Sequence, residues 1–339
     1  MQDILKIIAT SPGGISAGEL ERQTGFSRAT VNRRLKDAIA RNLIVPNGEG
    51  AARVYFDADL FRPVRAYFDA PSDERPVARF REELLDFHPA LDLSKLQVTK
   101  GFSPLEKKDL VQFLVDFSCA SSVLEGGSYS LLDTQALIEY GEIAQDKPLA
   151  DAYLVLNHKN AFEYLYDHVS LDSIFEVQKR LTDDHERPEL KSALHFLGKE
   201  LQGAVRNYEN ETVRITNSSY LPPLRPGTGY VRKMLDRILE ISAAIGEPLE
   251  SAFYLLTRLP YLQPFADGNK RTSRAICNVP LLKSGLPPIS FLDFKSRKDY
   301  IISLLAFYEL GDTTMASAIF TDAYLKSCKR LGKPARTIL

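Results

Sequence analysis

Apolar residues repeat with two different periods along this chain, and the change of period marks its organisation. Ile4, Leu5, Ile7 and Ile8 form a short helical pattern over residues 3–9. Ser16 precedes a second short helix containing Leu20, and Thr24-Gly25-Phe26 makes a turn. Ser27 then caps a third helix running to about Arg41, with Val31, Leu35, Ala38 and Ile39 on its buried face. Two strands come next, Leu43–Val45 and Arg53–Phe56, joined by the hairpin signal Pro46-Asn47-Gly48-Glu49-Gly50. Residues 58–104 are rich in proline and charge and read as a connecting segment packed on the main domain. Beyond it the pattern is strongly helical. Leu110, Phe113, Leu114, Phe117, Ser121 and Leu124 predict a core helix that stops at Gly126-Gly127, and residues 151–165 predict another. Between Tyr208 and Pro223 the period switches to alternation. Val213 and Ile215 point one way and Thr212, Arg214 and Thr216 the other, with Asn217-Ser218 as a turn, which predicts a hairpin. Ala275, Ile276, Val279 and Leu282 then predict a buried helix that Gly285 ends. The expected organisation is 1–57, a connecting segment 58–104, a mainly α helical bundle 105–325, and a basic tail 326–339.

The order helix, helix, helix, hairpin resembles the winged helix-turn-helix domains of bacterial transcription regulators. Local charge agrees with that resemblance, because residues 22–53 carry seven basic side chains against two acidic ones, a net +5. Docking in a major groove would bring Ser27, Arg28, Thr30 and Asn32 near base edges, with Arg33, Lys36 and the wing residue Arg53 near phosphate. DNA is therefore an expected partner, and a winged helix on DNA makes a homodimer an expectation as well.

Composition narrows the classes. A net charge of −1 argues against a globally basic nucleic-acid coat, so any DNA surface must be local. Cys119, Cys277 and Cys328 are far apart, and Cys119 and Cys277 sit among apolar helical residues, as buried thiols do. The five histidines lack ligand spacing, so zinc is not expected, and neither haem nor flavin is implied. No apolar run approaches 18 residues and no signal peptide is evident; a cytoplasmic protein without membrane contact is expected.

The chemistry concentrates in Gln263-Pro264-Phe265-Ala266-Asp267-Gly268-Asn269-Lys270-Arg271-Thr272-Ser273-Arg274. Gly268 lets the backbone turn just before a helix starting at Asn269 and Lys270. The unpaired amides and positive dipole end of such a start favour an anion. Arg271 and Arg274, three apart, share a helical face and reach toward one set of phosphates. Asp267 at the turn is placed to hold a divalent cation on those phosphates. Nucleotide phosphate binding is the expected chemistry.

This stretch resembles the core motif of the Fic family, HxFx(D/E)GNxRxxR, at every fixed position except the first, where Gln263 stands for histidine. The resemblance covers roughly residues 105–325 and implies an all-helical bundle around the motif. It also implies ATP with Mg²⁺ as substrate complex or ligand, and transfer of AMP to a Ser, Thr or Tyr hydroxyl of a protein. Gln263, Asp267, Asn269 and Arg271 take the catalytic positions; Gly268, Asn269, Lys270, Arg271 and Arg274 bind the nucleotide; Asp267 meets the Mg²⁺. Ser121 through Gly126 matches the family's inhibitory motif (S/T)xxxE(G/N), so Glu125 is expected to face Arg274. The segment around Val213, Arg214 and Ile215 resembles the family's flap, which docks a target by strand addition. Tyr300 and Tyr308 are the candidates to line the adenine pocket. In the family the missing histidine is the general base; the carboxamide of Gln263 has no proton equilibrium near neutral pH and cannot replace it. Three functions stay open: an adenylyltransferase attenuated at Gln263, a catalytically inactive nucleotide-sensing transcription regulator, and a Doc-like phosphotransferase, since Lys270 replaces a more usual glycine.

Overall fold

The computed structural model describes the chain except residues 1, 12–13, 51–52, 60, 94–95, 98–104, 293–295, 333–335 and 338–339. Two units, 1–75 and 76–339, account for its contacts. In the first, α1 (Gln2–Ala9) leads to β1 (Ile15–Ser16), α2 (Ala17–Thr24), α3 (Arg28–Ala40), β2 (Ile44–Asn47), β3 (Val54–Asp57) and α4 (Arg62–Phe68). Side-chain oxygens open both inner helices. Ser16 accepts from the Glu19 amide and Ser27 from the Thr30 amide, while Gly25 in the left-handed region ends α2. Val31, Leu35 and Ala38 are buried beside Ile4, Ile8 and Leu20; Ile39 is half-buried against them. The antiparallel sheet runs β1-β3-β2, with Asn47 opposite Val54 at the hairpin. The predicted order of three helices and a hairpin is present, with a short third strand added.

The second unit begins with β4 (Ala78–Arg79) and β5 (Leu96–Gln97). The helices α5 (Lys107–Glu125), α6 (Leu131–Tyr140), α7 (Leu149–Asp167) and α8 (Ile174–Leu181) come after them. Beyond β6 (Tyr220–Leu221) lie α9 (Tyr230–Ala244), α10 (Pro248–Leu262), α11 (Asn269–Ile276), α12 (Asn278–Lys283), α13 (Arg297–Leu310), α14 (Thr314–Arg330) and β7 (Arg336–Thr337). From Leu249 to Leu262 every residue of α10 is buried, making it the central helix. The aromatic stripe of α5 packs as its spacing requires: Phe162 of α7 meets Phe113 and Phe117 in tilted contacts at 4.7 and 4.8 Å between ring centroids.

Four expectations are corrected. The connecting segment 58–104 is divided: α4 belongs to the first unit, whereas 76–91 packs on the second through β4, which pairs parallel with β6, and through Glu250, which accepts from the Ala90 and Leu91 amides. Part of its end, with the boundary at 104, lies outside the described residues. The predicted hairpin at 208–223 is not formed among the described residues. Thr212, Arg214 and Thr216 are exposed and Val213 and Ile215 half-buried, as alternation requires, but no strand pairs with them. Helix α11 stops at Ile276 and α12 restarts at Asn278, so the stripe to Leu282 is broken at Cys277, and Leu281 is the buried residue instead. The basic tail is no loose terminus, because α14 crosses the expected boundary at 325. Arg330 grips Asp116 of α5 through Nε and Nη2 at 2.6 and 2.8 Å, and Lys326 pairs with Asp322. Lys333 lies outside the described residues.

Truncating Phe162 to alanine empties a fully buried site between two rings. Denaturant unfolding of the variant should show a loss of about 3–5 kcal/mol; a loss below about 1 kcal/mol would mean that these rings do not hold α5 on α7.

Candidate functional site

The motif loop is built from its own side chains. Gln263 ends α10 in the left-handed region at φ 52°. Its Nε2 donates to the Pro260 carbonyl at 2.7 Å and its Oε1 accepts from Asn269 Nδ2 at 2.8 Å. Asn269 also donates to the Phe265 carbonyl and accepts from the Phe265 amide. Thus the two motif amides tie the loop to the start of α11, and the Gln263 carboxamide is engaged inside the loop instead of being presented to a hydroxyl. Gly268 caps α11 at φ 79°, and a Cβ there would come within 3.0 Å of Thr182 Cγ2, so both conformation and space call for glycine.

Two residues without a signal in the sequence fix this loop. Buried Arg206 donates to the carbonyls of Gln263 (2.6 Å), Glu211 (3.0 Å) and Pro223 (3.1 Å), and its amide donates to Pro264. Burial lowers its pKa to about 10, still well above neutrality. Gln178 donates to the Asp267 carbonyl at 3.0 Å. Their partners are backbone carbonyls, and a sequence does not mark those.

The cations of α11 each have a defined place. Arg274, with no exposed surface, donates through Nη2 to Glu125 Oε1 at 2.6 Å, through Nε to Ser121 Oγ at 2.8 Å and to the Ser121 carbonyl. Glu125 Oε2 lies 3.4 Å from Lys270 Nζ. The expected pairing of Glu125 with Arg274 is therefore present, joined by a lysine one helical turn earlier. Burial opposes ionisation of Glu125, but Arg274, Lys270 and Arg271 outweigh it and hold the carboxyl well below the usual carboxylate range. Gly126, at φ 106°, ends α5 directly after it, and Arg297 Nε donates to the Leu124 carbonyl. Arg271 diverges from Arg274. Its Nη1 donates to the carbonyls of Leu181 (2.6 Å) and His195 (3.0 Å), and its Nη2 to Asp267 (2.8 Å).

Asp267 stands at the rim with its side chain 44% exposed. Among the described residues no group of three or more His, Cys, Asp or Glu side chains gathers to hold a metal. A Mg²⁺ would thus be held by Asp267 together with phosphate oxygens. The adenine-pocket assignments do not fit. Tyr300 is buried, with its hydroxyl accepting from Arg274 Nη1 at 3.2 Å and Arg274 5.7 Å from its ring centroid, so it supports the arginine. Tyr308 is buried among Tyr220, Tyr261 and Phe307. Neither ring offers an open face to a base. His158 is buried as well, its Nδ1 2.7 Å from the Leu154 carbonyl and 3.2 Å from Ser122 Oγ; burial, then Arg271 and Arg274, keep it neutral. Val213, Arg214 and Ile215, expected to form a flap, lie just beyond Glu211, whose carbonyl Arg206 anchors.

In the first unit Ser27, Arg28, Asn32, Arg33 and Lys36 are exposed along α3 and Thr30 is half-buried. Arg53 is exposed on the wing, its Nε donating to Gly48.

Residues 168–281 match the model of the Fic/DOC family and residues 3–53 that of the MarR family. The larger unit thus carries a Fic/DOC domain, and a MarR-family winged-helix domain precedes it in the chain. Its relatives include the protein adenylyltransferase fic-1 of Caenorhabditis elegans, 27% identical over 193 residues, which are 53% of this chain and 34% of that protein. Another is the protein adenylyltransferase Fic of Nematostella vectensis, 26% identical over 188 residues, or 53% of this chain and 40% of that one. The aligned part is therefore well under half of each relative's length. Among solved structures, a Fic-1 fragment from C. elegans superposes with a TM-score of 0.51 at 21% identity, covering 97% of this chain and 80% of that one. A Fic family protein from Desulfovibrio desulfuricans gives 0.52 at 17% identity over 67% of each chain. These superpositions speak for the fold.

Replacing Glu125 by glutamine leaves Arg274 buried without its counter-charge and should lower the melting temperature. The folded carboxyl titrates below its unfolded value of about 4.3, so its contribution is complete above that value and is lost as pH falls. The gap in melting temperature between native and Glu125→Gln protein should stay constant from pH 8 to 6 and narrow below about pH 4. A gap that changes between pH 8 and 6 would contradict the assigned ionisation.

Proposed function

We propose that the larger unit is a nucleotide-binding Fic domain held closed by Glu125, with adenylyl transfer attenuated at Gln263, coupled to DNA binding by the first unit. The observation that carries this reading is the Glu125 carboxylate seated between Arg274 and Lys270. A buried carboxylate occupies the place where an anionic ligand would sit, so a polyphosphate must displace it to reach the same cations. With Glu125 withdrawn, Lys270, Arg271 and Arg274 surround the start of α11, a charge pattern suited to the β- and γ-phosphates of ATP. Bound Mg²⁺ would neutralise phosphate charge, with Asp267 as its protein contact.

Transfer requires a hydroxyl oxygen to bond the α-phosphorus while the bond to the β-phosphate breaks and pyrophosphate leaves. The hydroxyl proton must then go to a base. Gln263 cannot accept it, and its amide is already held by Pro260 and Asn269. Loss of a general base costs about 10²–10⁴ in rate. Positioning and charge neutralisation remain, so slow transfer is the expectation. The names of the relatives favour a second reading, a repressed adenylyltransferase acting on a protein hydroxyl. Lys270 is accounted for by its contact with Glu125 and gives no support to phosphotransfer.

Incubation with ATP labelled at the α-phosphate, in lysate, separates these readings. Glu125→Gly should bind ATP more tightly than the native protein yet label little, and adding Gln263→His should raise labelling about 10²-fold or more. Labelling by Glu125→Gly as strong as by the double variant would make the protein a transferase in its own right. Unchanged ATP affinity in Glu125→Gly would remove the closing role of Glu125.

For the first unit, Arg33→Ala with Lys36→Ala should weaken binding to DNA of any sequence. The slope of log affinity against log salt should flatten by about 2. An unaltered slope would take α3 off the phosphate backbone.

A further inference from the structure

Between α8 and Arg206 the chain makes a closed excursion. Asp183 and Leu197 form an isolated parallel bridge, and the Leu197 amide donates to the Thr182 carbonyl at 2.8 Å, closing a loop at residues 183–197. Its neck adjoins the motif, since Thr182 is the residue against which Gly268 packs. Three residues without the freedom of glycine lie at positive φ in this loop: His185 at 51°, Glu186 at 55° and His195 at 79°. Such conformations are strained for residues with a Cβ and persist where surrounding contacts impose them. At His195 the imposing contact is visible. Its carbonyl accepts from Arg271 Nη1 at 3.0 Å, the same nitrogen that holds Leu181.

That clamp holds His195 beside Arg271 at the edge of the cation cluster. The ring is partly buried, and the charges that act on it are Arg271, Glu125, Asp267 and Lys270, the groups that form and fill the anion seat. Neither Asn157 nor Asp183 competes for it, since they face His185 in the same loop. Resting on the nucleotide-binding reading above, we propose that loop 183–197 walls the outer side of the polyphosphate seat and that His195 supplies a contact to the distal phosphates of a nucleoside triphosphate. The residue discriminates by phosphate number. Burial, then Arg271, disfavours the charged imidazole in the empty site, and in either protonation state a ring N–H can donate to a phosphate oxygen.

The test uses the full chain with Glu125→Gly, so that the seat is open, and compares it with Glu125→Gly/His195→Gly. Glycine adopts φ 79° without strain and keeps the carbonyl that Arg271 requires, so only the ring is removed. Calorimetric titration should show ATP binding weakened about tenfold, as for loss of one hydrogen bond to a charged group, with AMP binding unchanged. The imidazole ¹⁵N resonances of His195 in the Glu125→Gly protein should shift with ATP and stay fixed with adenosine, a readout that a purely structural histidine would not give. ATP affinity equal within about twofold in the two proteins, or resonances indifferent to ATP, overturns the assignment while leaving the nucleotide site in place. If Glu125→Gly itself fails to bind ATP, the nucleotide reading falls and this one with it.

Discussion

One carboxylate, Glu125, balances the fully buried charge of Arg274. Arg274 has no exposed surface, Arg271 almost none, and Lys270 stands beside them on the first turn of α11. A helix start already carries positive partial charge, so Lys270 and Arg271 on the first turn are disfavoured by the dipole, and all three cations by one another. Glu125 sits at the opposite kind of place, the last residue of α5, where the helix end disfavours an anion. Glu125, Lys270 and Arg271 thus occupy positions that their own helices penalise, and the attraction between the carboxylate and the cations offsets those costs. This makes the pair sensitive to replacement: any polyanion that reaches α11 relieves its cations as Glu125 does, without the penalty at the end of α5.

The geometry around the pair explains why the arginines do not simply collapse outward. Tyr300 and Ser121 take the remaining donors of Arg274, and the carbonyls of Leu181 and His195 take those of Arg271. Neutral acceptors satisfy the guanidinium groups without neutralising them. The positions of both arginines thus rest largely on neutral acceptors. Asp267 on Arg271 is the partial exception, and it is the half-exposed group at the rim, free to exchange an arginine for a cation.

What could be read in the sequence was whatever a residue does to its near neighbours. Ser27 before Arg28 announces a cap, Gly268 before Asn269 a turn into a helix, and Ser121 with Glu125 one face of α5; all three are local rules. The motif also carried its long-range pairing with Glu125, though only through its resemblance to a family. Arg206, Gln178 and His195 gave no signal. Arg206 meets carbonyls at Gln263 and Pro223, and a carbonyl has no residue type to be recognised by. The aromatic assignments failed for a related reason. Tyr300 was assigned through the family resemblance, whereas its hydroxyl is directed by a buried guanidinium that needs an acceptor. The hairpin at 208–223 shows the limit of periodicity: alternation sets which side chains face inward, and pairing needs a partner strand that alternation cannot specify.

The setting of Gln263 bears directly on activity. A residue retained only as a weakened general base would be expected to point toward incoming substrate, with its amide open. Here the amide is consumed at both ends, by Pro260 behind it and by Asn269 across the loop, while Arg206 holds its carbonyl. Its work is to fix the turn from α10 into α11, and hence the position of the cations on α11. Binding and chemistry place different demands on this one position. An imidazole able to take a proton must leave one nitrogen uncommitted, whereas a carboxamide can donate and accept within the loop at once. At this position the chain has the residue that serves the geometry of the loop.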